Sequence, residues 1–259
     1  MSISKKTKAI LVSSLLPVFL LILWQFSTSG GKASSHILPL PEKVLTTFVS
    51  LFNEGEFLND IVISMKRVMS GFLIGITAGF AFGLLMGLSR TAEKIFAPFF
   101  DGVRQVPMVG WIPLIVMWFG MSETTRIIVI TIAAFYPTTL NTFSGVRNVP
   151  REYIELASVY GYKRFKLIRR IIIPAALPSI ITGFSLSLGM SWMLLVAAEL
   201  LVDTPVGIGM LISTGRERSQ MELVVVGIIT VGLLGLAMTK IVEKFGKVVE
   251  RGRVIRQEL

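Results

Sequence analysis

Six runs of about twenty mainly apolar residues recur along this chain of 259 residues. An α-helix satisfies its backbone hydrogen bonds internally, so apolar runs of this length predict helices that cross a membrane. We therefore predict an all-α integral membrane protein with six transmembrane helices, forming a single transmembrane domain over residues 1–259. The predicted spans are residues 9–26, 68–88, 99–120, 127–143, 175–201 and 223–241.

The residue composition excludes several kinds of chemistry. Charged residues make up 16% of the chain, whereas soluble domains carry about 25%. Cysteine is absent, which excludes disulfides and thiolate metal sites. The single histidine, His36, lies in a polar segment, where we expect a solvated side chain and not a metal ligand. We predict no catalytic residue, no metal site and no enzyme activity in this chain.

The net charge of +10 is explained by where the basic residues lie. Lysine and arginine concentrate in residues 1–8, 89–98, 144–174 and 240–259, which all lie on one side of the membrane in a six-span chain. Membrane proteins gather Lys and Arg in their cytoplasmic segments, so we predict that both termini are cytoplasmic. The basic charge therefore indicates topology, and no nucleic-acid partner is expected.

A glycine recurs at every fourth position of the second span, at residues 71, 75, 79, 83 and 87. Small residues at this spacing let helix backbones approach closely in lipid. Because four residues rotate by about 40° around an ideal helix, we expect the stripe to wind around the span and to face several neighbours. Static packing and a smooth seam along which helices shift are both open interpretations.

The third span contains residues that interrupt a membrane helix. Pro107 and Pro113 are expected to break or kink it. Asp101 and Arg104 are three residues apart, so they share a helix face and could pair. A broken helix at membrane depth either lines a cavity or forms a packed kink, and both interpretations are open.

Ionisable and small polar side chains mark the outer ends of two other spans. Glu199, near the outer end of the fifth span, either has a functional role or reaches the interface. Lys66 and Arg67 either attract an anion at the outer mouth or extend their charged ends to the interface. The fifth span also carries a row of small polar residues: Thr182, Ser185, Ser187 and Ser191.

The loop between the first two spans is expected to contain a short helix at the outer surface. Its apolar residues Val44, Phe48, Leu51 and Phe52 repeat at helical spacing after the prolines of LPLPEKV.

The longest inside loop, residues 147–174, contains the stretch ELASVYGYKRFKLIRRIIIP. Pro150 can start a helix, Gly161 permits a sharp turn, and a basic helical segment follows. The pattern predicts a helix–glycine–helix elbow on the cytoplasmic face. An amphipathic segment lying on anionic lipid would explain the charge. It would not explain an acid, a small residue, a glycine and a proline in fixed order.

This order resembles the cytoplasmic signature of permease subunits of bacterial ABC importers. That signature is Glu-Ala-Ala, three residues, Gly, nine residues, and then Ile-x-Leu-Pro. The chain matches it at every interval, with Leu156 and Ile173 in place of an alanine and a leucine. The resemblance implies a coupling helix between spans four and five that docks on a separate ATP-hydrolysing subunit. The residues that would couple are Glu155, Leu156, Ala157, Ser158, Tyr160, Gly161 and Pro174.

Roughly residues 38–250 are similar to the nitrate, sulfonate and taurine branch of that family, in stretches such as RQVPMVGWIPLIVMWFG and MSWMLLVAAEL. The resemblance implies a subunit in the bacterial inner membrane that imports a small anion. Two ATPase subunits, an extracytoplasmic binding protein and a second permease protomer, as a homodimer, would be its partners, with lipid around it. Candidate pathway residues are Arg104, Pro107, Trp111, Ser187, Ser191, Trp192 and Glu199.

The chain lacks a phosphate-binding loop, so ATP and magnesium are expected in the ATPase partner and no cofactor in this chain. Alternatives are an importer of this type for a vitamin precursor or an aromatic acid, and a secondary transporter with its own energy source. Secondary transporters more often carry ionisable residues at the centre of their spans. An intramembrane enzyme lacks support, because we find no paired carboxylates, histidine pair or cysteine.

Overall fold

The computed structural model describes residues 5–29, 38–103, 105–202 and 205–257, so His36 lies outside the described residues. All regular elements in these ranges are helical. They are α1 (Lys5–Ser29), α2 (Pro41–Glu54), α3 (Glu56–Leu88), α4 (Arg90–Val103), a 3₁₀ turn (Met108–Trp111), α5 (Ile112–Phe119), α6 (Glu123–Arg147), α7 (Arg151–Val159), α8 (Arg164–Leu167), a π turn (Ile168–Ile172), α9 (Ile173–Leu201), α10 (Ile208–Glu217) and α11 (Met221–Gln257).

Four of the described helices are long and apolar enough to cross a membrane: Glu56–Leu88, Glu123–Arg147, Arg164–Leu201 and Met221–Val248. The bent pair Arg90–Val103 and Met108–Phe119 would make a fifth span. The described apolar part of α1, Ser14–Ser29, is shorter than these. The all-helical class is confirmed for the described residues, whereas the count of six spans and the cytoplasmic termini stay predictions.

The predicted helix in the first loop is α2. Val44 is buried with Phe57 of α3 and Val226 of α11, and Phe48 packs edge to face on Phe57 with ring centroids 5.8 Å apart. An ion pair of 2.9 Å between Lys43 and Glu222 adds a polar contact to α11. The helix therefore packs against the ends of two long helices.

Several helices run further than the apolar runs of the sequence. α3 begins at Glu56, twelve residues before the predicted start of its span. Its first turns bury Phe57, Ser64 and Arg67 against the bundle. Hydropathy marks only the apolar part of a helix, whereas packing of one face stabilises the whole of it.

α3 and α6 pack backbone to backbone along the glycine stripe. A Cβ atom added to Gly75 would lie 2.5 Å from the carbonyl oxygen of Thr131, and one added to Gly83 would lie 2.5 Å from that of Thr139. Side chains at these positions would force the helices apart. The five glycines face a row of α6 residues in the same chain order: Ile130, Ala134, Thr138, Thr142 and Val146.

The expectation that the stripe faces several neighbours is wrong, because all five glycines face α6. The row on α6 also has a period of four residues, so both rows drift around their helices at the same rate. The contact therefore stays on one partner as the two helices, which run in the same direction, wrap around each other. Small residues at this spacing are typical of close helix pairs in lipid.

α9 packs antiparallel against α6 and shares an apolar cluster with α3. Gly145 of α6 lies against Ser179, and Gly183 of α9 lies against Asn141. Midway along this contact the hydroxyls of Thr138 and Ser187 are 2.7 Å apart, and Ser187 also donates to the carbonyl of Ala134. The three helices α3, α6 and α9 form the centre of the protomer.

The third span is broken, as the sequence predicts. α4 and the segment Met108–Phe119 meet at an angle of 90°. The break comes just before Pro107, which precedes the 3₁₀ turn, whereas Pro113 lies in the first turn of α5 and begins a helix there. Proline is tolerated in a first turn because its missing N–H has no helical acceptor. The expected kink at Pro113 is therefore absent.

We expect Gly79→Ala to destabilise the protein by about 1–3 kcal/mol, because the added Cβ meets the carbonyl oxygen of Phe135 at 2.6 Å. Thermal unfolding of the purified protein in detergent would measure the change. Gly232→Ala is the matched control in α11, where nothing lies within 4 Å of the added atom. Equal unfolding temperatures for both variants would contradict the close contact.

Candidate functional site

The predicted elbow is formed by α7, a turn at Gly161 and α8. α7 begins directly after Pro150, and Gly161 has the left-handed φ of +65°. The N–H of Tyr162 donates to the carbonyl of Ala157 at 3.0 Å, and that of Gly161 donates to the carbonyl of Ser158 at 2.9 Å. This pair of bonds is a Schellman motif, which favours glycine because it has no Cβ. The predicted sharp turn at Gly161 is confirmed.

The two faces of α7 differ in exposure. Ile154 packs against the apolar cluster around Ile172, and Ala157 is only 4% exposed. On the other face Leu156, Val159 and Tyr160 are 58%, 83% and 72% exposed. Ala157 is one of the predicted coupling residues, but its side chain is buried within this chain and is not exposed to a partner. The surface left for a partner is apolar, and we call Leu156, Val159 and Tyr160 the outer face of α7.

Polar contacts along the elbow are local. Glu155 is exposed, and the Ser158 hydroxyl donates to its backbone carbonyl at 2.7 Å. After the turn, the ammonium of Lys166 lies 4.0 Å from the ring centroid of Tyr162, a cation–π contact that holds the start of α8 against the turn.

A π turn joins α8 to α9. The N–H of Ile173 donates to the carbonyl of Ile168, five residues earlier, and Pro174 follows directly. Proline inside an α-helix clashes with the carbonyl four residues before it. The wider turn opens the helix at this point, so the helix continues without a break from Arg164 to Leu201. Pro174 is therefore in the helix that follows the elbow and not in its turn.

The other end of α9 contains a charge cluster in which Arg67, Arg126 and Glu199 are buried and Glu123 is exposed. Arg67 of α3 is 4% exposed, and its guanidinium donates to Glu199 of α9 at 2.6 Å and to both carboxylate oxygens of Glu123 of α6 at 2.5 and 2.8 Å. Arg126 pairs with the same Glu123 at 3.0 Å. We call Arg67, Glu123, Arg126 and Glu199 the charge cluster; it links three helices.

The charge cluster also holds the beginning of α10. Glu199 accepts from the N–H of Gly209, and Ser64, which itself donates to Glu199, accepts from the N–H of Ile208. Asp60 accepts from the N–H of Gly207. The first N–H groups of a helix have no partner within it, so these three side chains from α3 and α9 cap α10.

The candidate pathway residues fall into two groups. Ser187, Ser191 and Trp192 are buried inside the protomer, where the Trp192 indole donates to the sulfur of Met238, and Glu199 is in the charge cluster. At the break in the third span Pro107 is exposed and Trp111 is partly buried. Arg104 lies outside the described residues, so its expected pairing with Asp101 is not seen. Trp111 packs against the apolar cluster that contains Leu194 and Ala198 of α9, whereas Ser187, Ser191 and Trp192 are buried in the protomer.

The sequence interpretation missed the charge cluster and α10. One interpretation of the sequence has Arg67 extend its charged end to the membrane interface. This is wrong, because the side chain is buried and paired. The signal was Arg67 at the start of one apolar run and Glu199 near the end of another, since such charges pair inside a membrane protein. Among the described residues, no group of His, Cys, Asp and Glu is arranged to hold a metal ion.

Comparison with known proteins identifies the family. Residues 71–252 match the family described as binding-protein-dependent transport system inner membrane component. The putative aliphatic sulfonates transport permease protein SsuC of Bacillus subtilis is 37% identical over 237 residues, covering 92% of this chain and 84% of that protein. The bicarbonate transport system permease protein CmpB of Synechococcus elongatus is 32% identical over 231 residues, covering 86% and 83%.

A solved structure of the methionine ABC transporter MetNI, in inward-facing conformations, shares the fold. It covers 76% of this chain and 95% of the matched chain with a TM-score of 0.59 and 14% sequence identity. The helical arrangement is therefore that of an ABC transporter permease, although the sequences have diverged widely.

We expect Glu199→Ala to lower the free energy of unfolding by roughly 3 kcal/mol, because it removes the partner of a buried guanidinium and a cap of α10. Unfolding of the purified protein in mixed micelles would measure it, with Glu54→Ala, an exposed position on α2, as the control. The double variant Arg67→Leu, Glu199→Leu should lose less stability than its two single variants together. Strict additivity would contradict the pairing.

Proposed function

The chain belongs to the family of binding-protein-dependent transport system inner membrane components, and we propose that it carries a small oxyanion, a sulfonate, taurine, nitrate or a similar solute, within an ATP-driven importer. The similarity to permeases named for sulfonates and for bicarbonate supports this. Those two solutes differ in shape, but each presents a negative charge shared among oxygen atoms. The shared property of the proposed cargo is therefore its charge.

The proposed assembly contains two copies of this chain, two ATPase subunits and an extracytoplasmic binding protein. ATP and magnesium bind to the ATPase subunits, and this chain supplies the membrane path and the mechanical connection. Each copy crosses the membrane six times, with α1, α3, the bent α4–α5 pair, α6, α9 and α11 as spans and both termini cytoplasmic. The basic segment 144–174 then lies on the same side as both termini, in agreement with the positive-inside rule.

The outer face of α7 is the proposed docking surface for the ATPase. Leu156, Val159 and Tyr160 are exposed on a short helix that points away from the bundle core, and aromatic and aliphatic side chains of this kind anchor protein interfaces. Glu155 and Ser158 lie exposed beside them, where the acid can pair with a basic group of the partner. The Gly161 turn joins α7 to α8, and the π turn makes α8 continuous with α9, so movement of the docked helix is passed to a membrane span.

The proposed solute path follows exposed surfaces of the protomer. The break of the third span supplies Arg104, Pro107 and Trp111, because unwound backbone at membrane depth is stable where it lines a cavity. The exposed residues of α9 include Thr182, Leu186, Gly189 and Met193, which recur at helical spacing. Ser187, Ser191, Trp192 and Glu199 lie behind this face, where they hold α9 against its neighbours.

Replacing Leu156 by Asp should greatly weaken binding of the ATPase, because a charge would be buried in an apolar contact. Co-purification of the ATPase subunits with the tagged permease would measure the loss. Asn148→Asp adds the same charge at an exposed position just before α7 and should leave binding intact. An unchanged yield of ATPase with Leu156→Asp would remove α7 as the docking surface.

Proteoliposomes that contain the complete importer and its binding protein should accumulate a labelled alkanesulfonate only when ATP is supplied inside. Taurine and nitrate should compete for uptake, whereas a neutral vitamin precursor should not, because it lacks the charge on which the proposal rests. Uptake of a neutral solute with no response to sulfonates would contradict the oxyanion assignment, although the permease function would remain.

A further inference from the structure

Two different stripes run along the exposed side of α11 in its second half. Lys240, Lys244 and Lys247 recur at intervals of four and three residues, with Glu243 beside them, and all four are exposed. Ile241, Phe245 and Val248 recur at the same intervals and are 67%, 71% and 62% exposed. We call the first set the charged stripe and the second the apolar stripe. Each apolar residue follows a lysine by one position, so the two stripes lie side by side, about 100° apart around the helix.

Contacts with α9 give the position of the charged stripe along the bundle. The Trp192 indole nitrogen is 3.3 Å from the sulfur of Met238, and a Cβ on Gly246 would lie 2.6 Å from Ile181. The two helices therefore run antiparallel, and Lys240 lies beside the stretch of α9 between Ile181 and Trp192. That stretch is in the middle of the apolar helix Arg164–Leu201.

The inner end of the bundle lies further along α11, towards its C-terminal end. α6 ends at Arg147, and its Gly145 packs against Ser179 of α9, so Ser179 is close to that end. The helix Met221–Val248, which is long and apolar enough to cross a membrane, reaches this level. At 1.5 Å per residue, Lys240 lies roughly 12 Å inside this end of the bundle.

Lysine side chains at the last turn of a span extend to the headgroups, but at greater depth a charged side chain facing lipid is costly. Such residues in membrane proteins face the interior or a water-filled cavity. The apolar stripe offers a surface for lipid on the same turns of α11. Lys240 then faces surroundings other than hydrocarbon, and Lys244 and Lys247, which lie nearer the inner end of the span, share its face of the helix.

We propose that the charged stripe of α11 lines a water-filled inner part of the solute path and binds the anion there through Lys240 and Lys244. Three lysines against one glutamate give this surface an excess of positive charge, as rings of basic side chains do in anion pores. The assignment rests on the proposed function, since it takes the solute to be an oxyanion. None of these residues belongs to the elbow, the charge cluster or the broken span.

Single cysteines test the water contact, because the chain contains no cysteine of its own. In inverted membrane vesicles, 2-sulfonatoethyl methanethiosulfonate should modify Lys240→Cys and Lys244→Cys. Ile241→Cys and Phe245→Cys are the matched controls on the apolar stripe and should stay unmodified. Asn148→Cys, at an exposed position before α7 and away from the proposed docking surface, should react and shows that the protein is inserted with this side outward. Protection of all four α11 positions, or equal modification of all four, would overturn the proposal.

The sign of the charge is tested with the same variants. Lys240→Cys should react about fivefold faster with the sulfonate reagent than with its trimethylammonium counterpart, relative to Asn148→Cys, because Lys244 remains nearby. Adding Lys244→Gln should reduce this preference. A preference that Lys244→Gln leaves unchanged would overturn anion binding by the stripe.

These experiments need neither ATP nor an identified solute, so they separate the two proposals. Sulfonate uptake together with an unreactive Lys240→Cys would defeat the charged stripe alone. The cysteines of the charged stripe could react with a preference for the anionic reagent while the importer carries only neutral solutes. That pair of results would contradict both the oxyanion function and the role of the stripe in it.

Discussion

Direct contact between the backbones of α3 and α6 determines which side chains of the neighbouring helices come close enough to pair. The glycine stripe aligns the helices so that Gly71 lies against Ile130. Arg67 and Arg126, each one turn before these residues, are thereby brought to the same level. The buried guanidinium groups of Arg67 and Arg126 repel each other. The carboxylate of Glu123 pairs with both and offsets this repulsion. The charge cluster is therefore a consequence of the helix contact, since a looser pair would separate its members.

α9 connects the two regions with the clearest chemistry. At one end it continues through the π turn to the elbow, and at the other it supplies Glu199 to the charge cluster and to the cap of α10. Between them it packs on α6 through Gly183 and the Thr138–Ser187 contact. A movement of α7 is thus passed to a helix that is held at its far end by ion pairs, which favours tilting of α9 about that end over sliding along its axis.

The sequence predicts elements whose cause is local. Gly161 forms the predicted turn because a Schellman motif needs only the residues around it, and α2 follows from the spacing of Val44 and Phe48. Contacts between distant residues were harder to predict. The partner of the glycine stripe depends on a second row of period four in α6, and no property of α3 alone reveals it. Arg67 and Glu199 are 132 residues apart, so only the fold shows that they pair. The inward position of Ala157 likewise depends on how α7 folds back on the elbow.

The π turn between α8 and α9 has a consequence for the angle at which α7 is presented. A helix rotates by about 100° for each residue, so one residue more or fewer in this turn would rotate α8, the Gly161 turn and α7 by that amount relative to α9. The outer face of α7 would then face a direction about 100° away around the axis of α9, although its residues would be unchanged. The π turn from Ile168 to Ile172 is five residues long. This length helps to determine the direction in which the proposed docking surface faces.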